Sequence, residues 1–226
     1  MRTLLVATVL WMLGWNLTMQ AASRQHVIAF GKSASVKLFV GNNENSPLPI
    51  TVRPLYMDGK LKEFTTGEAH DITDHQFVVQ RAFRVNDSLP TDERTIPKWR
   101  WQRGGWLLVD RIQGRISPIR LAEFDAFYSE VSWYRDYAAY CGLSDAGDKL
   151  YAVVMQLGVH KPMAYSPLVS ISGAETESEC LRPEWQRTPT RVTFRLKNGH
   201  TVTFNVRGRV ADLSSNETPA GDEESK

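Results

Sequence analysis

The chain has 226 residues, with 27 basic and 25 acidic side chains and a net charge of +2. That balance leaves no electrostatic footprint for nucleic acid or for an anionic membrane surface. A length of this order, with 42% hydrophobic residues, supports a sizeable buried core, and two cysteines allow a single intramolecular bridge.

The N-terminus reads as an export signal. Arg2 is the only charge before Arg24, and Leu4 to Trp15 is apolar apart from Thr8. Ala21-Ala22-Ser23 puts small residues before a cut after Ser23. The apolar run is short for a helix that spans a membrane, and Gly14, Asn16, Thr18 and Gln20 interrupt its far end. Residues 1–23 are therefore expected to be a signal peptide, with the mature chain periplasmic or secreted and without a membrane span after cleavage. An oxidising compartment favours a Cys141–Cys180 disulfide. Such a bridge closes a loop worth roughly 4 kcal/mol in the chain-entropy model.

From there the chain reads as strands and tight turns. HVIAFG and SVKLFVG are short β-rich runs. In ITVRPLYMDGKLKEFTTG the turn falls at Asp58-Gly59, and a three-residue loop from Met57 predicts Leu55 opposite Leu61 and Arg53 opposite Glu63. Pro54 marks an edge or a bulge. HQFVVQRAFRVND is a longer strand, with Phe77 and Val79 on one face and Val78 and Ala82 on the other. The polar, proline-containing stretch at 87–97 suggests a subdomain boundary. KWRWQRGGWLLVDRIQGRISPI turns at Gln113-Gly114, and a short helical turn is one reading of Leu121 to Tyr128.

SWYRDYAAYCGLSDAGDKLYAVV predicts a hairpin. Its first strand runs unbroken from Trp133 to Cys141, and its turn is Ser144-Asp145-Ala146-Gly147, with Asp145 as the capping side chain. Both faces of the return strand, Leu150 to Met155, are apolar, which predicts cover on both sides. HKPMAYSPLVSISGAETESECLRPEW reads as loop. TRVTFRLKNGHTVTFNVRG predicts a hairpin with a three-residue loop, Lys197-Asn198-Gly199, that sets Val192 opposite Phe204 and Phe194 opposite Val202. Residues 24–210 are thus expected to form an all-β domain, an antiparallel sandwich or barrel of about ten strands. Residues 211–226, with five acidic residues and one lysine, read as a disordered tail.

WLLVDRIQGRISPI followed by YAAYCGLSDAGDKLYAVV is similar to part of a β-propeller blade of the TolB or WD kind. Asp110 and Gly114 fill a strand-end Asp and Gly turn, and Ser144 to Gly147 loosely fills an SPDG-like turn. The resemblance covers roughly Gly105 to Leu157 and implies a small propeller-like β domain as the alternative fold.

Three groups of residues offer chemistry. His70, Asp71, Asp74 and His75 bring two imidazoles and two carboxylates within six residues, a donor set able to bind a divalent metal although its spacing matches no established zinc pattern. The competing reading is a polar turn before the next strand. Trp99, Arg100, Trp101, Arg103 and Trp106 suggest a platform for sugar rings or a protein partner; alternatively, the indoles face the core while the arginines face water. Glu123, Asp125, Glu130 and Asp136 lie among aromatics, as the carboxylates of glycosidases do. No nucleophile elbow, HExxH or phosphate-binding glycine loop is present, and no cofactor is implied. The expected function is that of a non-catalytic binding or interaction domain. Its partner is expected to be an envelope or secreted protein, or a glycan, and not nucleic acid. The alternative is an extracytoplasmic, carboxylate-dependent hydrolase acting on glycans.

Overall fold

The computed structural model describes residues 25–38, 48–88, 97–170, 180–208 and 210–213. The predicted signal peptide, residues 89–96 of the polar stretch and the tail beyond Leu213 lie outside them. The described residues form fifteen strands in three sheets with no helix, so none is available to cross a membrane. This is the expected all-β class, in a sandwich-like arrangement. It has more strands than the sequence suggested, because several are only three to five residues long.

The first sheet holds β1 (Ile28–Phe30), β2 (Ala34–Leu38), β3 (Leu48–Met57), β4 (Lys60–Asp71), β5 (Gln76–Asn86), β6 (Trp99–Asp110) and β7 (Arg115–Pro118). Pairing runs β3-β2-β6-β5-β4, and β4 pairs back with β3, so the sheet curls on itself. At the β2–β6 seam one parallel pair is described, Leu38 with Trp101, and the barrel does not close. The stretch 87–97 joins neighbouring strands of this sheet, since Asn86 pairs with Trp99. Pro54 is not on an edge strand. It lies where the partner of β3 changes from β2 (Leu48 to Val52) to β1 (Leu55 to Met57). Its carbonyl accepts from the Gly31 N–H at 2.8 Å on that side, so the missing donor falls in a gap of the ladder.

The β3–β4 turn differs from expectation. Met57 pairs with Lys60 across a two-residue turn, because Asp58 and Gly59 both take the positive φ (51° and 75°) of a type I′ hairpin. Asp58 is pinned there by His26 Nδ1 at 2.6 Å and the Val27 N–H at 3.0 Å. A bulge then shifts the register, so Leu55 faces Glu63 and Arg53 faces Thr65. Leu55 and Met57 thereby join Phe77, Val79, Leu107 and Val109 in one core cluster.

The second sheet is a meander of β8 (Ser132–Tyr134), β9 (Tyr137–Leu143), β10 (Lys149–Gln156) and β11 (Ala164–Ser170). The third holds β12 (Glu184–Gln186), β13 (Arg191–Arg195), β14 (Thr201–Arg207) and β15 (Val210–Leu213). The second sheet is the middle layer. Ala138, Tyr140, Val153 and Met155 pack on Val78 and Trp106 of the first sheet. Ala139, Cys141, Ala152 and Val154 pack on Val192, Phe194, Phe204 and Val206 of the third. The doubly apolar β10 is covered on both faces, as its sequence requires.

Several local expectations change. The strand expected from Trp133 to Cys141 is broken: Tyr134 pairs with Tyr137 across Arg135, whose φ is 52°. Trp133 therefore sits opposite Ala138 and shares its core cluster, not that of Cys141. The turn before β10 is capped by Ser144, not Asp145. The Ser144 Oγ accepts the N–H groups of Asp148 and Lys149, each at 3.1 Å, and donates to the Asp148 carboxylate at 2.7 Å. The stretch read as loop after His160 contributes β11 and β12. The blade-like pair divides between sheets, with β6–β7 in the first and β9–β10 in the second, so the two segments do not form one blade. The Leu121 to Tyr128 region holds no helix; at its end Ser129 N–H donates to the Asp125 carbonyl in a single turn. The β13–β14 register is as predicted, with Gly199 at φ 90°. Cys141 and Cys180 lie at disulfide distance, with Cα atoms 6.3 Å apart.

Candidate functional site

Strand β6 carries the five residues of the Trp/Arg group and divides them. A bulge at Gly104-Gly105 sets Trp106 opposite Gln80 but Arg103 opposite Ala82. A side chain at Gly104 would press on Arg81 and Phe83, which glycine avoids. Trp106 is buried and meets Trp133 edge-on, with ring centroids 5.4 Å apart. It is a core residue and leaves the platform. Trp101 is half-buried against Phe64 at 5.2 Å. Trp99 is 59% exposed. Arg84, on the neighbouring strand, lies 5.7 Å from the Trp99 ring and 5.3 Å from the Trp101 ring, within cation–π range of both. Arg100 pairs with Asp87 at 2.7 Å, and Arg103 buries its Nε without a protein partner. The surface that remains is Trp99, Arg84 and the edge of Trp101. Residue order alone does not join Arg84 to this group, because only the β5–β6 register places it opposite Trp101.

The four metal candidates go to separate partners. His70 bonds the Arg135 carbonyl through Nε2 at 2.8 Å and stacks on Trp133 at 6.2 Å. Asp71 pairs with Arg111 at 3.2 Å, and the same guanidinium donates to the Asp74 carbonyl. His75 ends a turn held by the Thr73 hydroxyl. Among the described residues no group of three or more His, Cys, Asp or Glu side chains converges.

The carboxylates are similarly dispersed. Asp125 accepts the Phe127 and Tyr128 N–H groups at 2.8 and 2.7 Å, which makes it a turn former. Asp136 accepts from Gln156 Nε2 at 2.7 Å. Glu130 lies on the rim of a separate hollow with Arg103 and Arg182. Glu123 accepts from the Tyr165 hydroxyl at 3.3 Å, beside the stacked pair Tyr151 and Tyr165. Its φ of 53° aims its carbonyl at the Leu143 N–H, 2.8 Å away.

A cleft of about 520 Å3 opens between the first and second sheets, a feature with no counterpart in any sequence motif. Leu108 and Ile119 line one wall, and Ala138 and Met155 the other. Gln76 and Gln156 flank it, each with its amide nitrogen spent on a carboxylate: Gln76 on Asp110 at 2.8 Å, Gln156 on Asp136 at 2.7 Å. Asp110 also accepts the N–H groups of Ile112 and Gln113. The Gln113 N–H above all, then the Gln76 amide, hold its carboxyl below the usual carboxylate range. Comparison with protein-family models, with curated proteins and with solved structures gives no match for this chain.

Proposed function

We propose that this protein is an exported, non-catalytic binding domain whose partner is a protein or glycan of the cell envelope or secreted space. The observation that carries the reading is the exposed Trp99 beside Arg84, at the start of β6. An indole kept in solvent beside a guanidinium gains most when a partner covers both. Export is supported by the signal-like residues 1–23 and by a cysteine pair suited to an oxidising compartment. The competing hydrolase reading draws less support, since Asp125 holds a local turn and Asp136 is tied to the Gln156 amide.

The test is retention of partners from an envelope extract of the host, with a Trp99→Ala/Arg84→Ala double variant beside the native chain. Both side chains are exposed, so the variant is expected to keep the native melting temperature and to lose the partner. A partner retained equally by both proteins, or none retained by the native chain, rejects the Trp99 surface. Trp101 is unsuitable as a control because it packs on Phe64.

A further inference from the structure

The cleft between the first two sheets lies at the opposite end of β6 from Trp99 and has a chemistry of its own. Its volume, about 520 Å3, falls in the roughly 300–1,000 Å3 range of small-molecule sites. Its walls are apolar: Leu108, Leu121, Ala138, Met155 and Val159. Two buried polar atoms on side chains lining it, the donor Trp133 Nε1 and the acceptor Gln156 Oε1, have no protein partner. Burying such atoms unpaired is costly, and a ligand that meets them recovers the loss. The carboxylate bonded to the Gln156 nitrogen fixes which amide atom is left over. The charged or ionisable lining residues are Arg120 and His160, both exposed, and no Asp or Glu lines the cleft.

We propose that this cleft binds a small amphipathic carboxylate. The apolar body lies between the two sheets, and the anionic head meets Arg120 and His160. Complementarity of charge selects the head group, and the indole N–H and amide carbonyl favour a body that carries a hydrogen-bonding group. The proposal is independent of the Trp99 surface, and loss of either leaves the other standing.

The test uses the purified, folded chain, titrated calorimetrically with octanoate and with 1-octanol. Octanoate is expected to bind saturably at one site and at least about tenfold more tightly than the alcohol, as a charge-assisted head-group contact implies. Arg120→Met is expected to remove most of that difference by weakening octanoate alone. Ser117→Phe fills the cleft from β7 and is expected to abolish binding of both at an unchanged melting temperature; Val159→Phe does the same from the other wall should the first variant fold poorly. Absence of saturable octanoate binding overturns the proposal. So does equal affinity for acid and alcohol, or full binding by both folded filling variants.

Discussion

Tyr140 concentrates several physical effects in one side chain. It is fully buried, and its hydroxyl donates to the Ala122 carbonyl at 2.6 Å. Burial, and then the charge of Glu123, push its phenol well above the usual range. The folded state therefore keeps a proton that the unfolded state releases above pH ~10. The associated stability is whole below that pH and falls as pH rises further. Tyr140→Phe is expected to cost about 1–2 kcal/mol at pH 7, where the Ala122 carbonyl loses its donor. It is also expected to flatten the loss of stability between pH 9 and 11 (~1 unit either side of the phenol's ordinary value). Urea midpoints across that range check both, and parallel slopes for the two proteins reject the linkage. Gly142 makes a purely steric case. A Cβ there would lie 2.8 Å from Glu123 Cβ and 3.0 Å from its carbonyl oxygen. Neither is the free end of a flexible chain, so Gly142→Ala is expected to destabilise by about 1–3 kcal/mol in thermal unfolding.

At the scale of elements, turn chemistry decides register. The β13–β14 hairpin was legible because Lys197-Asn198-Gly199 admits one register that gathers Val192, Phe194, Val202 and Phe204 on one face. The β3–β4 hairpin was not, because its bulge answers to the packing of Leu55 and Met57, residues whose neighbours come from β5 and β6. The break at Arg135 was hidden for a similar reason. A non-glycine residue with positive φ leaves no mark in the sequence, and the Asp136 carboxylate in this turn accepts from Gln156, twenty residues on. The cysteine pair joins elements rather than residues: at disulfide distance, it sets the segment before β12 beside Cys141 of β9 across a separation of 39 residues. The double variant Cys141→Ala/Cys180→Ala is expected to lose roughly 4 kcal/mol in denaturant unfolding, as closure of a loop of that length implies. An unchanged midpoint would mean that the pair is not bridged in the native protein.

For the whole molecule, the decisive feature is a middle sheet shared by two cores. Val153 faces the first sheet and Val154 the third, one residue apart on β10. Damage to one core therefore reaches the other through β9 and β10, the two strands that both cores share. Phe194→Ala, on the third sheet, is expected to cost about 3–5 kcal/mol. Hydrogen exchange is expected to show protection falling in β5 and β6 together with β13 and β14. Native-like protection in β5 and β6 with the third sheet open would show that the layers unfold separately.

What could be read from residue order was whatever local periodicity encodes: strands, most turns, the two apolar faces of β10 and the one available cysteine pair. These follow from alternation and from glycine, asparagine and aspartate at turns, which act over a few residues. The division of the tryptophans could not be read that way. Trp99 and Trp106 belong to one run, yet one faces solvent and the other the core, because a bulge and the arrival of Trp133 decide it. The Arg84–Trp99 contact and the cleft between sheets likewise exist only once distant strands are paired and layered. Sequence determines which faces are apolar; which of them meet, and what gap they leave, is set by the packing of three sheets around one shared layer.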